Sequence, residues 1–366
     1  MWVRTISASN YRNLSLSNVE FSPGINILYG DNAQGKTNIL EAVYFCALGR
    51  SSRADNNREL VRFGLDEAHV RVEANRDDYS FVIDSHIQIC GNKSIKTFSI
   101  DRVVVKNTRE LFGRLMVVLF SPEDLRLIKA GPAERRRFMD MEICQLSPVY
   151  YSDLRDYHRA LKQRNNLLKI LRKDRKQIDM LPVWGQQLST HGQRIMRTRS
   201  AFVNKISAIA KEIHSHITDG KEELSLTYQP NVENSEDYSK TMEKAQDKDI
   251  LCGTTSVGIH KDDIIFTING IPARSFGSQG QQRTAALSAK LAEIEIMRDS
   301  AKSTPILLLD DVLSELDGGR QKFLLTQITD LQTIITCTGL EDVLAKNVND
   351  ANIMRVMAGK IDKNGF

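Results

Sequence analysis

Apolar residues in the first 120 positions come mostly in short runs broken by turns, the spacing of strands, with one helix among them. Residues 19–21 and 25–29 are apolar strand candidates parted by Ser22-Pro23-Gly24. From Lys36 to Leu48 the residues Ile39, Leu40, Ala42, Val43, Phe45, Cys46 and Leu48 leave almost no polar face, which predicts a helix buried against a sheet. Residues 70–72, 80–89 and 96–105 alternate in part and predict an antiparallel layer. After residues 117–120 the period changes. Leu154, Tyr157, Leu161, Leu168 and Leu171 recur at steps of three, four and seven, and beyond Pro182 a second stripe runs through Trp184, Leu188, His191, Ile195, Phe202, Ile206, Ile209, Ile213 and Ile217. Two such helices around a break predict an antiparallel hairpin, with a helix of about 27 residues reaching about 40 Å. Residues 222–249 are acidic and polar and read as surface loops. β texture returns at 254–268, and Asn269-Gly270 signals a type I′ hairpin turn because both of its central positions need positive φ. Residues 284–300 read as a helix, and 306–309 and 333–337 as buried strands. The predicted outline is an α/β head with a mixed sheet, built from residues 1–121 and 251–366, with a helical arm lobe inserted at 122–250.

Composition narrows the class. Five cysteines (Cys46, Cys90, Cys144, Cys252, Cys337) are odd in number and form no CxxC pair, so a disulfide framework or zinc site is not expected; they read as buried thiols of a reducing compartment. The first residues, MWVRTISASNYRNL, lack the pattern of a secretory signal, and no apolar run approaches the roughly 20 residues of a membrane span. A cytoplasmic location is expected. Charge is uneven. Between Arg155 and Lys211 there are 14 Lys or Arg against three acids, an excess of +11, which leaves −7 for the rest of a chain with net charge +4.

Three motifs carry chemistry. Gly30-Asp31-Asn32-Ala33-Gln34-Gly35-Lys36-Thr37 matches GxxxxGK[ST] and is followed by Asn38 at the start of the predicted helix. Glycines let backbone N–H groups turn onto phosphates, Lys36 would neutralise the β and γ oxygens, and the Thr37 hydroxyl would ligate Mg²⁺. Residues 305–317, PILLLDDVLSELD, form an apolar run ending in acids, as a central strand does at the active edge of a parallel sheet. Asp310 is placed to hold Mg²⁺, and Asp311 is the candidate base that orients an attacking water. Ser278-Gln279-Gly280-Gln281 opens the next predicted helix, with Ser278 27 residues ahead of Pro305. Alone this could be an ordinary helix cap. Between the other two motifs it resembles the ABC signature, whose Ser278 hydroxyl and Gly280 N–H would meet a γ-phosphate.

With Asn10-Tyr11-Arg12-Asn13-Leu14, FSPEDL at 120–125, Gly131-Pro132 with RRRFMD at 135–140, and GIHKDD at 258–263, these motifs make the whole chain resemble the RecF family, bacterial recombination mediators related to SMC and Rad50 heads. The resemblance implies a cytoplasmic DNA-repair protein with an ABC-ATPase head that dimerises on ATP, each signature serving the partner's nucleotide. It further implies Mg²⁺, binding to duplex or gapped DNA, slow DNA-stimulated hydrolysis, and action with RecR and RecO to load RecA at single-stranded gaps, in replication restart and the SOS response. By the same match Arg12 and Asn13 would touch the nucleotide, and Asn38 and Gln281 complete the expected nucleotide-binding set. Glu123, Thr338 and Asp311 depart from the wider ABC pattern, and the shorter Asp311 predicts slow turnover.

The basic arm supplies candidate phosphate contacts: Lys162, Arg164, Lys169, Arg172, Lys173, Arg175, Lys176, Arg194, Arg197 and Arg199. The Arg135-Arg136-Arg137 triplet suits either phosphates or salt bridges that brace the head–arm junction. His260 with Asp262 and Asp263 suits a structured turn better than a catalytic or metal site. A transporter subunit fits poorly, since Lys36 and Asp310 stand 274 residues apart with a basic arm between. An ATP-binding adaptor without hydrolysis is the other alternative.

Overall fold

The computed structural model describes residues 1–77, 79–301, 303–339 and 351–362. Strands β1 (Trp2–Ser9), β2 (Ser15–Glu20) and β3 (Ile25–Tyr29) lead into helix α1 (Lys36–Leu48), followed by β4 (Glu67–Arg76), β5 (Tyr79–Cys90), β6 (Lys93–Ile100), β7 (Val103–Val104) and β8 (Val117–Phe120). Helices α2 (Arg126–Lys129), α3 (Pro132–Leu146), α4 (Pro148–Leu171) and α5 (Leu181–Ile217) come next. After them run β9 (Leu224–Gln229), α6 (Tyr238–Lys244), α7 (Gln246–Cys252), β10 (Asp263–Ile268), β11 (Ile271–Pro272), α8 (Ala273–Phe276) and α9 (Gln279–Ala301). The chain closes through β12 (Ile306–Asp310), α10 (Gly318–Gln327), β13 (Thr333–Cys337), β14 (Asn352–Met357) and β15 (Lys360–Asp362).

These elements form two compact units, Met1–Asp124 with Ile294–Phe366, and Leu125–Glu293. The expected third segment is thereby redrawn: residues 251–293, assigned from the sequence to the head, belong to the unit that holds the helical hairpin. The reason is pairing. β10 takes β9 as its antiparallel neighbour, which ties this stretch to the end of α5 and not to the head sheets.

The first unit holds two six-stranded sheets, in the orders β2-β1-β4-β5-β6-β7 and β15-β14-β3-β13-β12-β8. In the first sheet, β4 alternates buried and exposed residues as the pattern predicts, one face dry and one wet. In the second, β14, β3, β13, β12 and β8 run parallel, and all five residues of β12 and of β13 are buried. Helix α1 packs against strands of both sheets, which explains its lack of a polar face.

In the second unit α4 and α5 make the predicted hairpin, with Tyr157, Leu168, Leu171, Leu188, Ile195, Phe202 and Ile206 buried. α5 is 37 residues long, about 55 Å and well past expectation. Pro182 does not break it, because proline fits a helix's first turn, where the missing N–H costs nothing; the break is the 3₁₀ stretch Arg175–Met180. Gly192 in mid-helix admits the Tyr238 ring, which a Cβ would meet at 2.6 Å. Asn269 (φ 50°) and Gly270 (φ 77°) make the predicted turn between β10 and β11. Residues 222–249, expected as loops, contain β9, α6 and most of α7; apart from buried Asp249 their charged residues are exposed or half-exposed, while Leu224, Leu226, Val232, Tyr238 and Met242 are buried.

A polar core crosses this unit. Buried Arg199 donates to Asp140 (2.8 Å) and to Asp262 (2.9 Å), and Asp262 also accepts from the Tyr228 hydroxyl and the Asn231 N–H. His260 meets the Tyr157 hydroxyl at 2.8 Å and the Thr255 carbonyl at 3.0 Å, and burial drives its pKa down to about 4. Arg135 pairs with Asp263 through both guanidinium arms, and Arg136 donates to the Asp262 carbonyl. The triplet's first two members are therefore internal braces. No helix among the described residues is long and apolar enough to cross a membrane. All five cysteines are free; Cys46, Cys144 and Cys337 are buried, but Cys90 and Cys252 are exposed, against expectation.

Candidate functional site

The glycine-rich loop sits between β3, inside the parallel sheet, and the first turn of α1. Its backbone needs conformations that side chains resist: φ is 149° at Gly30, 63° at Ala33 and 111° at Gly35. A Cβ on Gly30 would strike the Val356 carbonyl, and one on Gly35 would meet the Asn13 amide at 2.8 Å. Asp31, Asn32 and Ala33 are exposed at the crest. The Lys36 ammonium is buried and folds back to donate to the carbonyls of Gly30 (2.5 Å) and Asp31 (2.8 Å). It spans the loop that would surround a phosphate chain.

Across the sheet, the Thr37 hydroxyl donates to Asp310 at 2.6 Å, joining residues 273 apart in sequence. Asp310 also accepts from Thr336 Oγ1 at 2.9 Å, which fixes the carboxylate at the end of β12. Two hard oxygen donors converging beside the lysine suit Mg²⁺. Asp311 takes a left-handed φ of 53°, and its N–H donates to Thr336 Oγ1. Among the described residues its carboxylate has no hydrogen-bond partner, so it is available to a water. Burial, the largest influence, lifts the nearby Cys337 thiol to about 11, which keeps it protonated and unreactive at neutral pH.

Several supports of the loop carry no motif. The backbone N–H of Ala358 donates to Gln34 Oε1 (2.6 Å), and that of Gly359 to the Gln34 carbonyl (2.8 Å), so the β14–β15 turn clasps the loop. Asn13 accepts from the Asn38 amide at 2.8 Å and donates to the Ala33 carbonyl at 3.4 Å. Arg12 is committed elsewhere: it makes two bonds to Glu41 (3.0 and 3.1 Å) and one to the Glu59 carbonyl. In this arrangement its guanidinium braces α1, while the residue also lines the cleft beside Asn13. Glu41 also accepts from Ser51 and Arg53. Burial raises its carboxyl, but the hydrogen bonds of Arg12 and Ser51 and the charge of Arg53 outweigh this and hold it below the usual range. An open cleft of about 1090 Å³ lies beside Asn13 and Ala358, which both contact the loop, and is lined also by Arg12, Arg58, Arg62 and Phe63.

The third motif lies in the second unit, at the start of α9. Ser278 and Gln281 cap it reciprocally: the Gln281 N–H donates to Ser278 Oγ (3.2 Å), and the Ser278 N–H to Gln281 Oε1 (2.8 Å). The motif is thus a helix cap, one that leaves Ser278 exposed and Gly280 half-buried at a helix start. Gln281 Nε2 donates to Glu222 (3.0 Å), Glu222 meets His214 Nε2 (3.2 Å), and His214 Nδ1 meets Ser288 Oγ (3.2 Å). The end of α5 is thereby wired to the motif, a link invisible in the sequence because nothing marks residues 214 and 222 as neighbours of 281.

Of the basic arm residues, Lys162, Lys169, Arg172, Lys173, Arg175, Lys176, Arg194 and Arg197 are exposed. Two are not. Arg164 is buried and donates to Asp249 (2.7 Å) and Thr255 (2.8 Å), and Arg199 is buried in the polar core. Both are removed from the phosphate contacts, because their charge is already neutralised inside the unit.

A phosphate loop between a parallel strand and a buried helix, with its threonine touching the acid of a neighbouring strand, defines a P-loop head of the ABC-ATPase type. A family profile described as the RecF/RecN/SMC N terminal domain matches residues 2–361, and the chain belongs to the RecF branch of that family. It is 48% identical over 363 residues to the DNA replication and repair protein RecF of Lachnoclostridium phytofermentans, covering 99% of this chain and 100% of that one. It is 44% identical to the RecF of Agathobacter rectalis, with 99% of each covered. The solved structure of the recombination mediator protein RecF-ATPrS in the RecFOR pathway superposes with a TM-score of 0.91 at 34% identity, covering 99% of this chain and 98% of that one. The Smc head domain of Pyrococcus furiosus, at 16% identity and TM-score 0.56, covers 99% of this chain and 95% of that one and shares the fold.

Proposed function

We propose that this chain is an ATP-dependent DNA-binding recombination mediator: it dimerises on ATP, binds duplex or gapped DNA, and acts with RecR and RecO to promote RecA loading at single-stranded gaps. The setting is cytoplasmic DNA repair, replication restart and the SOS response. The observation that carries the reading is the 2.6 Å contact between Thr37 and Asp310, which brings the two halves of an ATPase centre together beside Lys36. The identity of the RecF relatives supports the pathway.

On this reading Gly30, Gly35 and the intervening N–H groups hold the phosphates, with Lys36 turning from its loop carbonyls onto them. Asn38 and Asn13 keep the loop in shape from below. Thr37 and Asp310 hold Mg²⁺, which when bound neutralises charge on the phosphate oxygens. Asp311 orients water. Ser278, Gly280 and Gln281 serve the nucleotide of a second copy, so neither copy is complete alone. Phosphates of DNA meet the exposed arm residues Lys162, Lys169, Arg172, Lys173, Arg175, Lys176, Arg194 and Arg197, without base reading.

Sedimentation of wild type and Lys36→Arg with ATP and Mg²⁺, with and without duplex DNA, tests the proposal. Wild type is expected to shift to a dimer with ATP, more so with DNA, while the variant does so only weakly. A wild-type protein that stays monomeric at saturating ATP with DNA present overturns it.

A further inference from the structure

The solvent face of the antiparallel sheet holds a cluster that the nucleotide chemistry does not use. His69 on β4 and His86 on β5 are directly paired across the strands, and Glu67 lies two residues from His69 on the same face. The two imidazoles stack with centroids 4.1 Å apart and planes within 7°. Glu67 Oε2 stands 3.2 Å from His86 Nε2 and 3.8 Å from His69 Nε2, and one donor atom from each of the three residues falls within 4.8 Å of the others.

We propose that Glu67, His69 and His86 form a surface site for a divalent transition-metal ion of the Zn²⁺ class. Metal–ligand distances near 2.0–2.2 Å place neighbouring donors of a tetrahedral ion about 3.3 Å apart. The two carboxylate–imidazole separations are already close to that spacing; the stacked rings must turn so that both lone pairs meet at one ion, which the exposed face leaves room for. The antiparallel register does the positioning: a directly opposed pair on one face keeps the two Cβ atoms about 5 Å apart, within reach of one ion. Two imidazole nitrogens and one carboxylate oxygen suit Zn²⁺, Ni²⁺ or Cu²⁺; Mg²⁺ prefers all-oxygen shells and is left to Thr37 and Asp310. All three side chains are at least one-third exposed, so the remaining position is open to water or to a donor from another molecule. The alternative is a carboxylate that only hydrogen-bonds one imidazole, which would leave no affinity for metal.

The test uses the full chain with Cys90→Ser and Cys252→Ser, which removes the two exposed thiols that would themselves take zinc. Equilibrium dialysis against Zn²⁺ in excess Mg²⁺, without nucleotide, is expected to retain one Zn²⁺ per chain. Adding His69→Asn with His86→Asn should abolish that ion, and Glu67→Gln should weaken it roughly tenfold or more. Circular dichroism without metal checks that the variants fold alike. A parent that retains no Zn²⁺, or loses it to Mg²⁺, overturns the site, as does unchanged retention in the folded double-His variant.

Discussion

His260 illustrates how a residue with catalytic credentials is spent on structure. Its two ring nitrogens are taken by the Tyr157 hydroxyl and the Thr255 carbonyl, and burial holds its pKa near 4. An unfolded histidine near 6.5 binds a proton that the folded one refuses. The resulting stability is complete above about pH 6.5 and is lost as pH falls toward 4, at up to about 1.4 kcal/mol per pH unit. His260→Gln should flatten the pH dependence of urea unfolding over that window relative to wild type, and parallel curves would contradict it. At Asp311 the expected outcome is kinetic. Removing the carboxylate's charge in Asp311→Asn should lower ATP turnover about a hundredfold or more while ATP binding persists, as filter binding and phosphate release would measure. Turnover at background in both proteins would favour an adaptor without hydrolysis, and equal turnover above background would remove Asp311 from the reaction. The phosphate-loop residues were legible from sequence because spacing alone fixes their backbone roles. Arg164 and Arg199 were not, since the acids that neutralise them lie 85 residues away for Arg164 and 59 and 63 away for Arg199. Charge is visible in a sequence, but its partner is not.

Among the elements, periodicity succeeded where one face is buried and failed where polar residues cover a thin core. The hairpin stripe and the Asn269-Gly270 turn were readable for the first reason. The segment 222–249 hid β9, α6 and α7 behind acidic side chains for the second. The element with most leverage is the end of α5, joined through His214 and Glu222 to Gln281. Losing both hydrogen bonds of Glu222 loosens the cap that presents Ser278. Glu222→Ala should weaken ATP-induced dimerisation by roughly 5- to 30-fold, the equivalent of about 1–2 kcal/mol, with ATP affinity of the monomer intact. Glu222→Gln, whose amide oxygen can still accept from Gln281, should recover much of it. Loss of monomer ATP affinity in Glu222→Ala would mean general misfolding instead.

At the scale of the whole molecule, charge separates from catalysis. The ATPase motifs 30–37 and 310–311 belong to one compact unit and the exposed basic arm residues to the other. If six of the eight exposed candidates contact phosphates, the logarithm of DNA affinity should fall with the logarithm of salt at a slope near −5. Replacing Lys169, Arg172 and Lys173 together by Gln should reduce that slope by about 3 and leave DNA-free ATP turnover unchanged. Fluorescence anisotropy across a salt series would read it, and a slope that stays put would move the DNA path off the arm. Arg164→Gln, by contrast, should unfold the second unit at lower urea, because it leaves Asp249 buried and uncompensated.

The clasp of Ala358 and Gly359 on Gln34 bears on damaged versions of the protein. β14 is also what shields β3, on the side away from β13. A message cut short soon after Cys337 would still encode every nucleotide motif, yet its product would carry the phosphate loop on a raw sheet border, ready to recruit strands from neighbouring copies. Such a product should be recovered in inclusion bodies, not as a folded protein with a mild ATPase defect.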